Sequence, residues 1–163
     1  MQDAEMRRPI HYAAACEGTA PLKYLLEKGA NLLDVDSRKT SALHLAAQAG
    51  RAENVKALLT HGDPGLLVKL RDKKGMTAMA YACETSDLSC IKTLIQDGGV
   101  KVNQGVGKDR MQPLAWAAAS GNYELCEWLL DNKARVIGVD KFKRSPLIMA
   151  VRNGHLKLAS LLL

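Results

Sequence analysis

The chain has 163 residues, of which 47% are apolar and only 4% aromatic, and it carries a formal net charge of +6. That length suffices for one domain with a sizeable core, and apolar mass drawn mostly from Ala and Leu favours close-packed helices over a sheet. No apolar run approaches the ~20 residues of a membrane span, and the opening "MQDAEMRRPIHYAAA" has no apolar stretch leading to a secretory cleavage site.

Five stretches, taken in chain order, share one pattern. "RPIHYAAACEGTAPLKYLL" starts at Arg8, "SALHLAAQAGRAENVKALL" at Ser41 and "TAMAYACETSDLSCIKTLI" at Thr77. "QPLAWAAASGNYELCEWLL" follows at Gln112 and "SPLIMAVRNGHLKLASLLL" at Ser145. They align without a gap, and their starts lie 33, 36, 35 and 33 residues apart. Ser41, Thr77 and Ser145 occupy a helix N-cap, where a hydroxyl accepts from an orphan backbone N–H. Pro9, Pro113 and Pro146 fall at the first helical residue, where a missing N–H does no harm. Ile10, Leu43, Met79, Leu114 and Leu147 are the inward apolar residues. The small pairs Ala13/Ala14, Ala46/Ala47, Ala82/Cys83, Ala117/Ala118 and Ala150/Val151 let neighbouring helices approach. Gly50, Gly121 and Gly154 end this first helix. A second helix closes each unit on Leu25/Leu26, Leu58/Leu59, Leu94/Ile95, Leu129/Leu130 and Leu162/Leu163. One unit cannot bury such faces alone; a stack of them does.

Five in-phase copies of this pattern resemble the ankyrin repeat, whose T-P-L-H-x-A-A start precedes G-H and a V-x-x-L-L run. The resemblance covers nearly the whole chain. It implies an all-α solenoid of five stacked helix-turn-helix repeats with β-hairpin finger loops. The expected organisation is a single domain over 1–163, with repeats at approximately 6–35, 36–71, 72–106, 107–139 and 140–163, in a piece of a longer chain. His11 and His44 fill the H slot, where the family's imidazole bonds backbone and neighbouring loops; the other repeats carry Ala80, Ala115 and Ile148 there.

Against this frame, "GVGKDRM" at 105–111 is not a phosphate-binding loop. Such a loop reads G-x-x-x-x-G-K-[ST]; here Val102 stands at the first glycine and Asp109 replaces the metal-binding hydroxyl. The stretch shares the phase of "DSRKT" (36–40), "DKKGM" (72–76) and "DKFKR" (140–144), and reads as a finger. Gly98, Gly99, Gly105 and Gly107 read as turn residues absorbing a two-residue insertion, as does the stretch around Asp63–Leu66 one repeat earlier. Asp36, Asp72 and Asp140 open their fingers as turn-stabilising residues. Cys16, Cys83, Cys90 and Cys126 lack zinc or disulfide spacing and read as reduced, mostly buried small residues. No catalytic, cofactor or metal site is expected.

The four fingers hold nine Lys or Arg against four Asp, nearly all of the chain's excess charge. Lys39, Arg110 and Lys143 stand where the family prefers Gly, at a turn that favours positive φ. The resemblance places the working surface on the concave side, formed by fingers and first helices. By position it includes Arg38, Lys73, Lys74, Met76, Lys108, Met111, Lys141, Phe142 and Arg144 from the fingers, and Tyr81, Glu84, Trp116 and Arg152 from the helices. Met76 and Met111 either anchor a partner or tuck against the next finger; Trp116 either anchors or packs between helices.

The function expected is a non-catalytic protein-interaction scaffold, intracellular and monomeric, whose basic fingers bind an acidic, extended segment of a partner protein. Two alternatives stay open. One is binding of nucleic acid or acidic lipid by the same charge, against which the lack of interleaved aromatics counts. The other is an architectural spacer between other domains.

Overall fold

Each nineteen-residue stretch folds as two short helices joined by a tight turn. In the computed structural model, which describes residues 1–163, the first helices are α1 (Pro9–Ala15), α3 (Ala42–Gln48), α6 (Ala78–Thr85), α8 (Pro113–Ser120) and α10 (Pro146–Arg152). The second helices are α2 (Ala20–Glu27), α4 (Ala52–His61), α7 (Leu88–Gln96), α9 (Tyr123–Asp131) and α11 (Leu156–Leu162). No helix is long and apolar enough to cross a membrane. None exceeds ten residues, so none would persist alone in water; packing holds them.

The chain divides into two compact units, Met1–Val100 and Lys101–Leu163. In the first, α1, α3 and α6 pack in succession as one row, with α2, α4 and α7 as a second row behind them. In the second, α8 packs on α10, and each packs on its own following helix. The inward slot behaves as the pattern predicts in four repeats: Ile10, Leu43, Met79 and Leu114 are buried, while Leu147 is half-buried. Ala14, Ala46, Ala47, Ala82, Ala117 and Ala118 are wholly buried, which is what permits close approach of adjacent first helices. Leu58, Leu94 and Leu129 form the seam of the second helices as the pattern predicts, while in the first repeat Leu22 takes that place and Leu25 and Leu26 are half-buried; each fully buried Leu contributes roughly 1.5–3 kcal/mol.

Three expectations are corrected. Val151 and Leu163 are exposed, where their counterparts Ala14 and Ala47, and Leu59, are buried. The insertion around Asp63–Leu66 is a one-turn helix, α5 (Pro64–Leu67), because Asp63 caps it through Leu66 N–H, Pro64 starts it and Leu67 buries its apolar side. Thr77 and Ser145 cap as predicted, accepting from Ala80 N–H and Ile148 N–H, but the Ser41 hydroxyl turns to His44 Nδ1, 2.7 Å away. Cys83, Cys90 and Cys126 are buried and Cys16 is exposed; burial pushes the Cys126 thiol up to about 12 and the other two higher.

Candidate partner-binding surface

Three of the four predicted fingers are each built by one carboxylate oxygen. Asp36 Oδ1 accepts from the Arg38 and Thr40 amides at 2.8 Å, Asp72 Oδ1 from the Lys74 and Met76 amides at 2.8 Å, and Asp140 Oδ1 from the Phe142 and Arg144 amides at 2.8 and 2.9 Å. The fourth residue of each turn is left-handed: Lys39 at φ 60°, Gly75 at 76°, Arg110 at 55° and Lys143 at 60°. Three cations therefore occupy a conformation that costs a non-glycine residue roughly 1 kcal/mol. Fingers are tied sideways by backbone bonds, Lys73 N–H to Arg38 carbonyl at 2.9 Å and Lys141 N–H to Asp109 carbonyl at 3.0 Å. Such a display is rigid.

The same geometry recurs at Asp3–Arg7, a finger that the sequence reading did not assign. Asp3 Oδ1 accepts from the Glu5 and Arg7 amides at 2.8 Å, Met6 is left-handed at φ 62°, and Glu5 carbonyl accepts from Ser37 N–H at 2.8 Å. The stretch at 105–111 closes on itself through Val106 N–H to Met111 carbonyl, and a Cβ on Gly105 would stand 2.5 Å from the Arg110 carbonyl oxygen. It is a finger, as its phase indicates.

The second carboxylate oxygen of each Asp is satisfied differently. Asp72 Oδ2 accepts from the Tyr81 hydroxyl at 2.7 Å, and Asp3 Oδ2 from Tyr12. Asp140 Oδ2 receives Arg144 Nε at 2.7 Å and Nη2 at 2.5 Å. Asp36 Oδ2, wholly buried, has no hydrogen bond; Arg38 Nε and Arg7 Nε stand 3.7 and 3.8 Å away. Burial opposes ionisation of Asp36, Asp72 and Asp140, yet the amide bonds and neighbouring donors outweigh it and hold all three carboxyls below their ordinary value. Burial, with the Asp72 carboxylate, pushes Tyr81 up to about 12. His44 Nδ1 accepts from Ser41 N–H, so Nε2 carries the proton and donates to the Met76 carbonyl at 3.1 Å; burial keeps the ring's pKa below its usual value. The H slot thus braces the next finger, as the resemblance implies. His11 Nδ1 accepts from Arg8 N–H, while its buried Nε2 has no partner.

In the first unit, the second and third fingers and the helices behind them enclose a notch of about 250 Å³. Its walls are Arg38, Thr40, Lys73 and Lys74 on the finger side and Gln48, Tyr81 and Glu84 on the helix side. Arg38, Lys73, Lys74 and Glu84 are exposed. Lys73, Lys74 and Glu84 enter no ion pair, with each other or with anything else, and Arg38 touches only Asp36 at 3.7 Å. Tyr81 is half-buried and committed to Asp72; Met76 is half-buried and lends its carbonyl to His44.

The second unit uses its charge on itself. Lys141 Nζ pairs with Asp109 at 2.5 Å, and Arg144 bridges Asp140 and Asp109. Phe142 is 58% exposed, with Lys141 Nζ at 4.9 Å and the Arg144 guanidinium at 4.7 Å from its ring centre. Lys108 and Arg152 are exposed and unpaired. Trp116 is half-buried with its indole N–H enclosed and unbonded. Met111 is 6% exposed and belongs to the core, so its role as an exposed anchor is corrected: the Val106–Met111 bridge folds it under the finger. Asn103 ties two turns together, donating to Lys133 carbonyl at 3.0 Å and accepting from Arg135 N–H at 2.8 Å.

Two signals of this arrangement stood in the sequence unread. The spacing Asp3…Tyr12 recurs as Asp72…Tyr81, nine residues each, and Asp140…Arg144 places a cation one helical-turn's length from the buried carboxylate. The self-pairing of Lys141 with Asp109, from adjacent fingers, had no such signal.

The profile described as Ankyrin repeats (3 copies) matches residues 1–67, 65–140 and 102–163. The chain is 33% identical over 152 residues to poly [ADP-ribose] polymerase tankyrase of Caenorhabditis elegans, covering 83% of this chain and 7% of that protein. It is 31% identical to the nuclear factor NF-kappa-B p105 subunit of Gallus gallus, covering 99% of this chain and 16% of that protein. It is 28% identical to the transient receptor potential cation channel subfamily A member 1 of Homo sapiens, covering 95% and 14%. The chain thus spans less than a fifth of the length of each of these relatives. The match to the tankyrase, an enzyme, runs through its repeats alone.

Proposed function

Because this chain belongs to the ankyrin-repeat family, an all-α fold of stacked repeats that generally mediates protein–protein interaction and is typically non-catalytic, we propose that it is a protein-binding module. Its ligand is an acidic, extended segment of a partner protein, and the binding surface is the finger-and-helix face of the first unit. The observation that carries this reading is the set of unengaged cations there. Arg38, Lys73 and Lys74 converge on one notch and, apart from the 3.7 Å approach of Arg38 to Asp36, have no internal counter-ion. Lys141 and Arg144 in the second unit are already neutralised, which makes them props of the finger and leaves Phe142, Lys108 and Arg152 as that unit's own candidate contacts.

Unpaired cations on a rigid frame raise the encounter rate with an anionic segment and lose affinity as salt rises. The test is fluorescence anisotropy of a labelled acidic peptide against the wild type and the Lys73→Glu/Lys74→Glu variant, at low and physiological salt. The reading expects at least tenfold weaker binding by the variant and a clear weakening of the wild type with salt. Equal binding by both proteins overturns it. So does tighter wild-type binding to single-stranded RNA or to anionic vesicles than to the peptide.

A further inference from the structure

The notch of the first unit holds charge of both signs. Glu84 projects from α6 into the same 250 Å³ space as Arg38, Lys73 and Lys74, yet no pair among them closes to 4 Å. The second unit shows the alternative: where finger cations and a carboxylate can reach one another, as Lys141 and Asp109 do, they pair directly. Glu84 and the lysines are exposed and form no ion pair with one another, so both poles of the notch face solvent without a partner. The other carboxylate in the wall, Asp72, is spoken for by two amides and the Tyr81 hydroxyl. Glu84 is the acidic acceptor that remains, and the exposed Gln48 at the end of α3 also lines the notch.

A purely acidic segment fits this notch poorly. Its first carboxylate gains three cations, but a second one beside it meets Glu84, and like charges set against each other across an interface disfavour the fit. A segment that places a cation beside its acid satisfies both poles. An extended chain advances roughly 3.3–3.6 Å per residue, so two side chains that enter one notch come from positions close together in the segment.

Resting on the reading of this surface as a peptide site, we propose that the notch selects a mixed-charge motif. In it an acidic side chain lies against Arg38, Lys73 and Lys74, and a nearby Lys or Arg lies against Glu84. Glu84 is then the specificity-determining residue: the lysines decide whether a segment binds, and Glu84 decides which acidic segments do.

The test is selection of a displayed library of random 16-residue peptides on three proteins: the wild type, Glu84→Lys, and Lys73→Glu/Lys74→Glu. Circular dichroism and thermal melting establish that all three fold; each change is at an exposed position. Wild-type selection should enrich Asp or Glu together with Lys or Arg at one fixed offset. Glu84→Lys should keep the acidic enrichment and lose the basic one, and a wild-type winner with its basic residue changed to Glu should bind this variant at least fivefold tighter than it binds the wild type. Acidic enrichment on the wild type without a basic partner, or the same basic partner on Glu84→Lys, overturns the motif and leaves the peptide site standing. Wild-type selection without acidic enrichment, or acidic enrichment that persists on Lys73→Glu/Lys74→Glu, overturns the peptide site itself.

Discussion

Leu45→Tyr should stabilise the protein, because it supplies a donor that one repeat lacks. Position 45 stands nine residues after Asp36, as Tyr12 does after Asp3 and Tyr81 after Asp72. In those two repeats the phenol hydroxyl donates to the second carboxylate oxygen of the finger Asp. At Asp36 that oxygen is buried and has no hydrogen bond, and the nearby Arg38 and Arg7 Nε atoms, at 3.7 and 3.8 Å, are beyond hydrogen-bond reach. A hydrogen bond to a charged acceptor contributes ~1.5–3 kcal/mol, and fitting the larger ring at the half-buried Leu45 site costs about 1 kcal/mol, the low end of the range for added volume. The expected net gain is about 1 kcal/mol, worth roughly 2–4 °C in Tm for a chain of this size. Urea unfolding of wild type, Leu45→Tyr, Asp36→Asn and the double variant isolates the new bond, since the gain must shrink when the acceptor is neutral. A loss of stability on Leu45→Tyr, or an equal gain in the Asp36→Asn background, would refute the reasoning.

Three further outcomes follow from the same geometry. Arg144→Met leaves the Asp140 carboxylate buried and unpaired and should cost about 2–3 kcal/mol, whereas Lys141→Met breaks a half-exposed pair and should cost less than about 1 kcal/mol; equal losses in urea unfolding would contradict the distinction. Lys39→Gly and Lys143→Gly should each be neutral to stabilising by up to about 1 kcal/mol, because glycine adopts the left-handed turn without strain, while Gly75→Lys should be destabilising by a similar amount. Stability should fall with acid in two stages. The folded protein keeps His44 neutral below the ring's ordinary pKa, so the unfolded chain takes up the proton first and stability declines as pH drops below about 6.5. Asp36, Asp72 and Asp140 are depressed in the folded state, so their contribution is present above about pH 4 and is lost as pH falls further, through the folded values. His44→Ala should abolish the first stage and leave the second; a first stage that persists would assign it to another group.

The sequence by itself determined the repeat, its phase and most of its buried positions, because each depends on a local period read five times over. The slot from Ile10 through Leu114, the small pairs behind it and the prolines at the helix starts could only serve close-packed helices at that spacing. It also located the left-handed turn at Lys39, Arg110 and Lys143, since a finger of fixed length must turn at a fixed residue. What tertiary structure decided was which charges are free. Lys73 and Lys141 occupy the same slot of the same motif, and nothing local distinguishes them. The Asp109 side chain of the adjacent finger engages Lys141, and no carboxylate reaches Lys73. The burial of Met111, the orphaned oxygen of Asp36 and the absence of an ion pair at Glu84 are likewise set by residues more than a helical turn away in sequence. A pairing between side chains depends on distances across the stack, and a periodic sequence fixes the slots without fixing what meets what across them.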